Sequence, residues 1–199
     1  MFSFLETICV QNGQAQHVDF HQIRVNETFD TFFPEWEPFH VWEEIEKVEL
    51  PKEGIYRLRI TYTEDPQQIE LEAYEAKIVN TFTLVDSGEI DYGFKWAERG
   101  FFQRILEAHP EADEVIFHKH GIIQDCTIAN LAFLKNDIWY TPEAPMHWGT
   151  TRARLLVEDQ VEETDILVSE LDQYERICMI NVFRPLSFEK SIALPGAIV

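Results

Sequence analysis

The sequence predicts an α+β protein built as two domains. Segments with a period of two and segments with helical periodicity occur in both halves of the chain. A chain of 199 residues is long enough for one large domain or two small ones packed together. Asp86-Ser87-Gly88 then punctuates the chain after a strand-like run. This sets a small N-terminal α/β domain at 1–84 and a larger C-terminal domain at 85–199.

Hydrophobic residues make up 45% and aromatic residues 13%, enough for a real core rather than a disordered chain. Sixteen basic residues stand against 36 acidic ones, a formal charge of −20. Such a surface repels phosphate backbones and anionic membranes, so no nucleic-acid partner and no membrane association are expected. Any anionic ligand needs a local basic pocket. Cys9, Cys126 and Cys178 are scattered, odd in number and without metal-ligand spacing. That suits a reducing cytoplasm better than a disulfide framework. The N-terminus lacks a signal-peptide layout, and no apolar run reaches membrane-spanning length.

In chain order, Phe2–Val10 and Gln16–Phe20 flank Asn12-Gly13 and read as a β-hairpin. A helix from about His21 puts Ile23, Phe29 and Phe33 near one face before Pro34, with Arg24 in its first turn. Trp36–Val48 reads as a second helix with Trp42, Ile45 and Val48 apolar. Ile55–Thr63 alternates as a strand, Asp65-Pro66 turns, and Ile69–Tyr74 returns; Thr81–Val85 is a further strand. Trp96–Ala108 reads as a helix and Val115–Phe117 as a strand. Ile122-Ile123, Leu131–Leu134 and Asp137–Tyr140 form a meander. Gly149 opens a helix through Leu156. Asp165–Leu171 is a short helix, Ile177–Val182 a strand, and the segment after Pro185 one more.

Several motifs fall in a fixed order: Phe4-Leu5-Glu6-Thr7, His21-Gln22-Ile23-Arg24, Lys95-Trp96, Gly121 to Asn130, Thr141-Pro142, and Gly149-Thr150-Thr151-Arg152. This order resembles the class-IV aminotransferases, the fold-type-IV pyridoxal-phosphate enzymes. That family includes D-amino-acid and branched-chain aminotransferases and 4-amino-4-deoxychorismate lyase. The resemblance implies the D-amino-acid aminotransferase-like two-domain fold with a trimmed N-terminal domain. It also implies pyridoxal 5′-phosphate as cofactor, a small amino acid or amino-carboxylate as substrate, and a homodimer.

By that resemblance Lys95 is the Schiff-base lysine and the carrier of the substrate Cα proton; read alone, it is an exposed lysine at a helix start. Arg24 contacts the cofactor phosphate, the alternative being a cation on a solvated helix face. Thr150 and Thr151 add helix N-terminal N–H groups and hydroxyls to the phosphate pocket. Asp125 stands at the family's Glu position, where a carboxylate keeps the pyridine nitrogen protonated. Being one methylene shorter, it requires a closer ring, a shifted backbone or a bridging water. Asn130 matches the family's Asn, although Ala129 replaces a common Ser. Thr127 and Asn181 are further polar candidates near the cofactor.

Arg57 and Arg59 share one strand face and either bind a substrate carboxylate or are exposed strand charges. Tyr62 occupies a place where many relatives carry Arg. His118-Lys119-His120 reads as a solvated turn rather than a metal site, and Cys126 as a packing residue. The implied activity is an aminotransferase acting through Lys95. Pyruvate elimination in the manner of 4-amino-4-deoxychorismate lyase, or a non-catalytic member of the fold, are the alternatives.

Overall fold

A computed structural model describes residues 2–199. Contacts divide them into two units: the chain up to Ala76 together with Phe94–Glu98, and Lys77–Gly93 together with Arg99–Val199.

The first unit begins with strand β1 (Phe4–Gln11), which turns at Asn12-Gly13 into β2 (Gln14–Ala15). Both turn residues have positive φ, 50° and 81°, the conformation a tight hairpin demands and Asn-Gly tolerates. Helix α1 (Val18–Phe32) follows, then α2 (Val41–Glu46), β3 (Ile55–Tyr62) and β4 (Pro66–Ala73). The strands form an antiparallel sheet in the order β2-β1-β3-β4. Period-two alternation turns Phe4, Ile8 and Val10 of β1 and Leu58, Ile60 and Tyr62 of β3 into one core with Val25 and Phe29 of α1 and Val41 and Ile45 of α2.

Three expectations change here. Helix α1 starts at Val18, three residues before His21, so Arg24 lies in its second turn, clear of the positive helix end. Its buried face carries Val18, His21, Arg24, Val25, Thr28 and Phe29, whereas Ile23 is 52% exposed. The polar residues turn inward because a buried carboxylate, Glu6 of β1, waits for them. The second helix shrinks to six residues, and Trp36 and Trp42 are exposed. Pro38 explains the loss, since it disfavours helical backbone at the residue before it. Gln22 then caps the shortened helix from α1, its Oε1 accepting from the Val41 N–H at 2.8 Å.

The segment Phe94–Glu98 is not helical; it bends at Phe94 and Ala97 and makes a single bridge from Trp96 to Phe4. Leu5 N–H donates to the Lys95 carbonyl and Ala97 N–H to the Ser3 carbonyl, both at 2.9 Å, and Trp96 stacks on Phe4 with ring centroids 4.7 Å apart.

The second unit contains β5 (Phe82–Asp86), α3 (Gly100–Ala108), β6 (Glu114–Lys119), β7 (Ile122–Cys126), β8 (Asn130–Lys135), β9 (Ile138–Pro142), α4 (Thr150–Val157), β10 (Glu162–Thr164), β11 (Arg176–Ile180) and β12 (Ile192–Ala193). A 3-10 turn at Val168–Gln173 stands where a short helix at Asp165–Leu171 was expected. One sheet has the order β5-β6-β7 and the other β10-β9-β8-β11-β12. Strands β5 and β6 are parallel with α3 between them in sequence, a βαβ crossover. His118-Lys119-His120 leads into the β6–β7 turn, with His120 and Gly121 at φ 53° and 82°.

A division at 84/85 would cut through β5, whose ladder partner is β6. The larger unit takes Lys77–Gly93 and resumes at Arg99. Lys95, expected in the larger domain, belongs to the smaller unit because its backbone bonds to β1. Among the described residues no helix is long and apolar enough to cross a membrane.

Candidate active site

In the smaller unit, period two places Glu6 on the same side of β1 as Phe4 and Ile8, and it is fully buried. Its carboxylate is met by α1, whose i, i+3 spacing brings His21 and Arg24 to one face. Arg24 donates from Nε to Glu6 Oε1 at 2.8 Å and from Nη2 to Oε2 at 2.5 Å, a side-on bidentate pair. His21 Nδ1 lies 2.6 Å from Oε2. Burial alone would raise the Glu6 pKa, but the Arg24 charge and the hydrogen bonds from His21 and Arg24 reverse this and hold it at about 2.

Because the ionised carboxylate only accepts, Nδ1 carries the His21 proton. Burial pushes the imidazole pKa down, Glu6 opposes this, and the charges of Arg24 and Lys95 reinforce it. His21 is therefore neutral, and its Nε2 is buried with no hydrogen-bond partner among the described residues. Lys95 itself is half-buried, with its charge acting on this cluster.

Arg57 and Arg59 lie on β3 and turn to Glu72 of β4. Arg57 Nη2 is 2.6 Å from Glu72 Oε1 and Arg59 Nη1 is 3.7 Å from it. Tyr62 is buried against α1, with its hydroxyl 3.3 Å from Thr28 Oγ1.

In the larger unit, Asp125 is the next-to-last residue of β7 and Asn130 begins β8, and the turn between the strands makes the two side chains meet. Asn130 Nδ2 donates to Asp125 Oδ1 and to the His147 carbonyl, both at 2.7 Å. Asp125 Oδ2 accepts the His147 N–H at 2.8 Å, and the Met146 N–H also bonds this carboxylate. Burial drives the Asp125 pKa up to about 7 against these donors and the Arg152 charge.

Gly149 caps α4 without any side-chain cap bond, so the first N–H groups of the helix have no capping acceptor from that residue. Thr150 and Thr151 follow it and are buried. Arg152 anchors the helix, donating from Nη2 to the Pro142 carbonyl at 2.7 Å and to Glu163 at 2.5 Å. The Thr141-Pro142 and Gly-Thr-Thr-Arg segments are thus joined through Arg152 and the Pro142 carbonyl.

A Cβ on Gly149 would stand 2.0 Å from Asn130 Oδ1. Gly149→Ala is expected to push Asn130 off Asp125 and cost about 1–3 kcal/mol, read by urea unfolding. An unchanged midpoint would show that Asn130 yields without penalty.

Thr127 and Asn181 both bond within the fold. Thr127 Oγ1 donates to buried Glu114 at 2.7 Å, and Asn181 Nδ2 to the Ile128 carbonyl at 3.0 Å. Cys126 is buried, and burial raises its thiol pKa, so no thiolate is available there. Glu6, His21 and Glu114 had no role assigned from sequence, although the inward register of Glu6 between Phe4 and Ile8 was a usable signal.

These side chains can be set against known proteins. An amino-acid aminotransferase from Mesorhizobium loti, provisionally named, aligns over 100% of both chains with a TM-score of 0.79 and 20% identity. A hypothetical aminotransferase from Mycobacterium tuberculosis in its PLP-bound form covers 90% of this chain and 77% of its own, with a TM-score of 0.73 and 15% identity. The fold is that of the fold-type-IV pyridoxal-phosphate enzymes. A provisionally named 4-amino-4-deoxychorismate lyase from Haemophilus somnus is 33% identical, with 94% of this chain and 98% of that one covered and a TM-score of 0.87. The family model described as Amino-transferase class IV matches residues 100–192. The chain belongs to the class IV aminotransferase family, whose members are pyridoxal-phosphate-dependent aminotransferases and related lyases.

Proposed function

We propose that this protein binds pyridoxal 5′-phosphate and transfers the amino group of an amino acid or another amino-group-bearing carboxylic acid. The observation that carries this reading is the Glu6-Arg24 pair with the Lys95 charge acting on the same buried cluster. A lysine and an oriented guanidinium held by one small sheet suit a cofactor with an aldehyde and a phosphate. The N-terminus of α4, which Gly149 leaves without a side-chain cap, suits that phosphate, and the buried Asp125 carboxylate suits a protonated ring nitrogen. The residues present therefore fit the group.

When bound, pyridoxal phosphate supplies an electron sink for charge developing at the substrate Cα. The chain does the rest. Lys95 holds the cofactor and then moves the proton at the substrate Cα. Arg24, aimed by Glu6, binds phosphate oxygens, and Thr150 and Thr151 add donors at the helix end. Asp125 keeps the ring nitrogen protonated, and Asn130 keeps Asp125 in place. Arg57 and Arg59 are the candidates for the substrate carboxylate. The assembly is a homodimer in a reducing cytoplasm, which fits its three free cysteines.

Pyruvate elimination is the second reading, favoured by the name of the Haemophilus somnus relative. Assaying candidate substrates for amine transfer against pyruvate release separates the two. Purified protein is expected to show a visible absorption band with added cofactor that borohydride fixes covalently. Lys95→Ala is expected to abolish both the band and turnover, by roughly a thousandfold or more. A full band in Lys95→Ala would end this assignment.

A further inference from the structure

The turn Cys126–Ala129 separates Asp125 from Asn130 and decides whether their side chains meet. Its own backbone closes it through the Cys126 N–H to the Ala129 carbonyl at 3.1 Å. Three side chains distant in sequence then grip it. Glu114, fully buried at the start of β6, accepts on Oε1 from Thr127 Oγ1 at 2.7 Å, from the Thr127 N–H at 3.4 Å and from the Val115 N–H at 3.1 Å. Arg99, its guanidinium over the Tyr92 and Phe102 rings, donates to the Thr127 carbonyl. Asn181 donates to the Ile128 carbonyl.

Glu114 is the costly member of this set. Its Oε2 is buried with no hydrogen-bond partner among the described residues, and the nearest cation, Lys77 Nζ, is 3.7 Å away. Closing an ordinary turn does not require a buried carboxylate, because turns can bond to water or to their own backbone. Fixing the direction of the two residues that flank the turn is a reason to have one.

We infer that Glu114 is a positioning residue of the active site, acting through Thr127 to lock the turn that sets Asp125 against Asn130. This rests on the proposed placement of those two residues beside pyridoxal phosphate. Arg99 and Asn181 hold the carbonyl side of the turn, and Glu114 holds its N–H and hydroxyl side. The lock acts before any cofactor arrives, so it exists in the apoprotein.

The test compares Thr127→Val, Glu114→Gln and Glu114→Ala with wild type by amide hydrogen exchange of the apoprotein and by pyridoxal phosphate titration followed through tryptophan fluorescence. Thr127→Val and Glu114→Ala are expected to speed exchange at residues 126–130 about tenfold, leave β8 and β11 protected, and weaken cofactor binding about tenfold, whereas Glu114→Gln keeps Oε1 and stays within about twofold of wild type. If Glu114→Ala fails to fold, Thr127→Val carries the comparison. Unchanged exchange in the turn would overturn the inference. So would acceleration spread evenly through β8 and β11, or a Gln variant as damaging as the Ala variant. A wild-type protein that takes up no pyridoxal phosphate would refute the proposed function instead, and the exchange data would still decide on the lock.

Discussion

Glu6→Ala is expected to destabilise the protein by about 3–5 kcal/mol, the usual cost of removing one partner from a buried ion pair. Arg24 would keep its charge in a site where it is 8% exposed, and His21 Nδ1 would lose its only acceptor among the bonds described for it. For a chain of this size the melting temperature should fall by roughly 10 °C or more. Glu6→Ala/Arg24→Met should recover part of that loss, because the buried guanidinium goes together with the carboxylate. Calorimetry of the three proteins reads the pattern. A loss below about 1 kcal/mol in the single variant would mean that Arg24 finds another counter-ion and that Glu6 does not aim it.

The same pair predicts a pH dependence. The Glu6 pKa falls from 4.5 to about 2 on folding, so the unfolded chain binds more protons between those values. The stability it contributes is present above pH 4.5 and is lost as pH drops through about 2. Acid unfolding of Glu6→Ala should accordingly be shallower than that of wild type in that window.

How much of this was legible in the sequence differs from one piece to the next. The hairpin at Asn12-Gly13 and the alternation of β3 were plain, because a turn and a period of two are local properties. Pro38 also lies in plain sight, yet Trp36–Val48 still reads as one helix when apolar spacing is counted alone. The inward face of α1 was misread for a different reason. Ile23, Phe29 and Phe33 look like a stripe by hydrophobicity, but His21 and Arg24 are buried to serve Glu6, a partner 15 and 18 positions away. The family motifs marked Arg24, Lys95 and Asp125 without saying what holds them. Glu114, Arg99 and Asn181 meet only at one turn, and no periodicity connects positions so far apart.

Asp125 provides the sharpest separate test, because its linkage runs opposite to that of Glu6. Its pKa rises from 3.8 to about 7 on folding, since full burial outweighs the donors from Asn130 and the 146–147 backbone. The native state therefore binds the extra proton between those values, and the stability this proton brings is full below pH 3.8 and lost as pH climbs through about 7. A shift of that size corresponds to about 4 kcal/mol at most. His21, whose pKa is lowered by burial, adds a slope of the other sign below pH 6.5, so a single curve is not diagnostic. The difference between wild type and Asp125→Asn is, because His21 is common to both. Urea unfolding of the two apoproteins at pH 5 and pH 8 should show wild type losing about 2–3 kcal/mol more than the variant on going up. Parallel behaviour would mean that the carboxyl ionises as freely in the fold as in water. Loading with pyridoxal phosphate tests the same group from the other side. A cation against this carboxyl favours its ionised form, so on the proposed reading the difference between the two proteins should shrink when cofactor is present. If it does not, Asp125 belongs to the loop it ties down and not to the ring nitrogen.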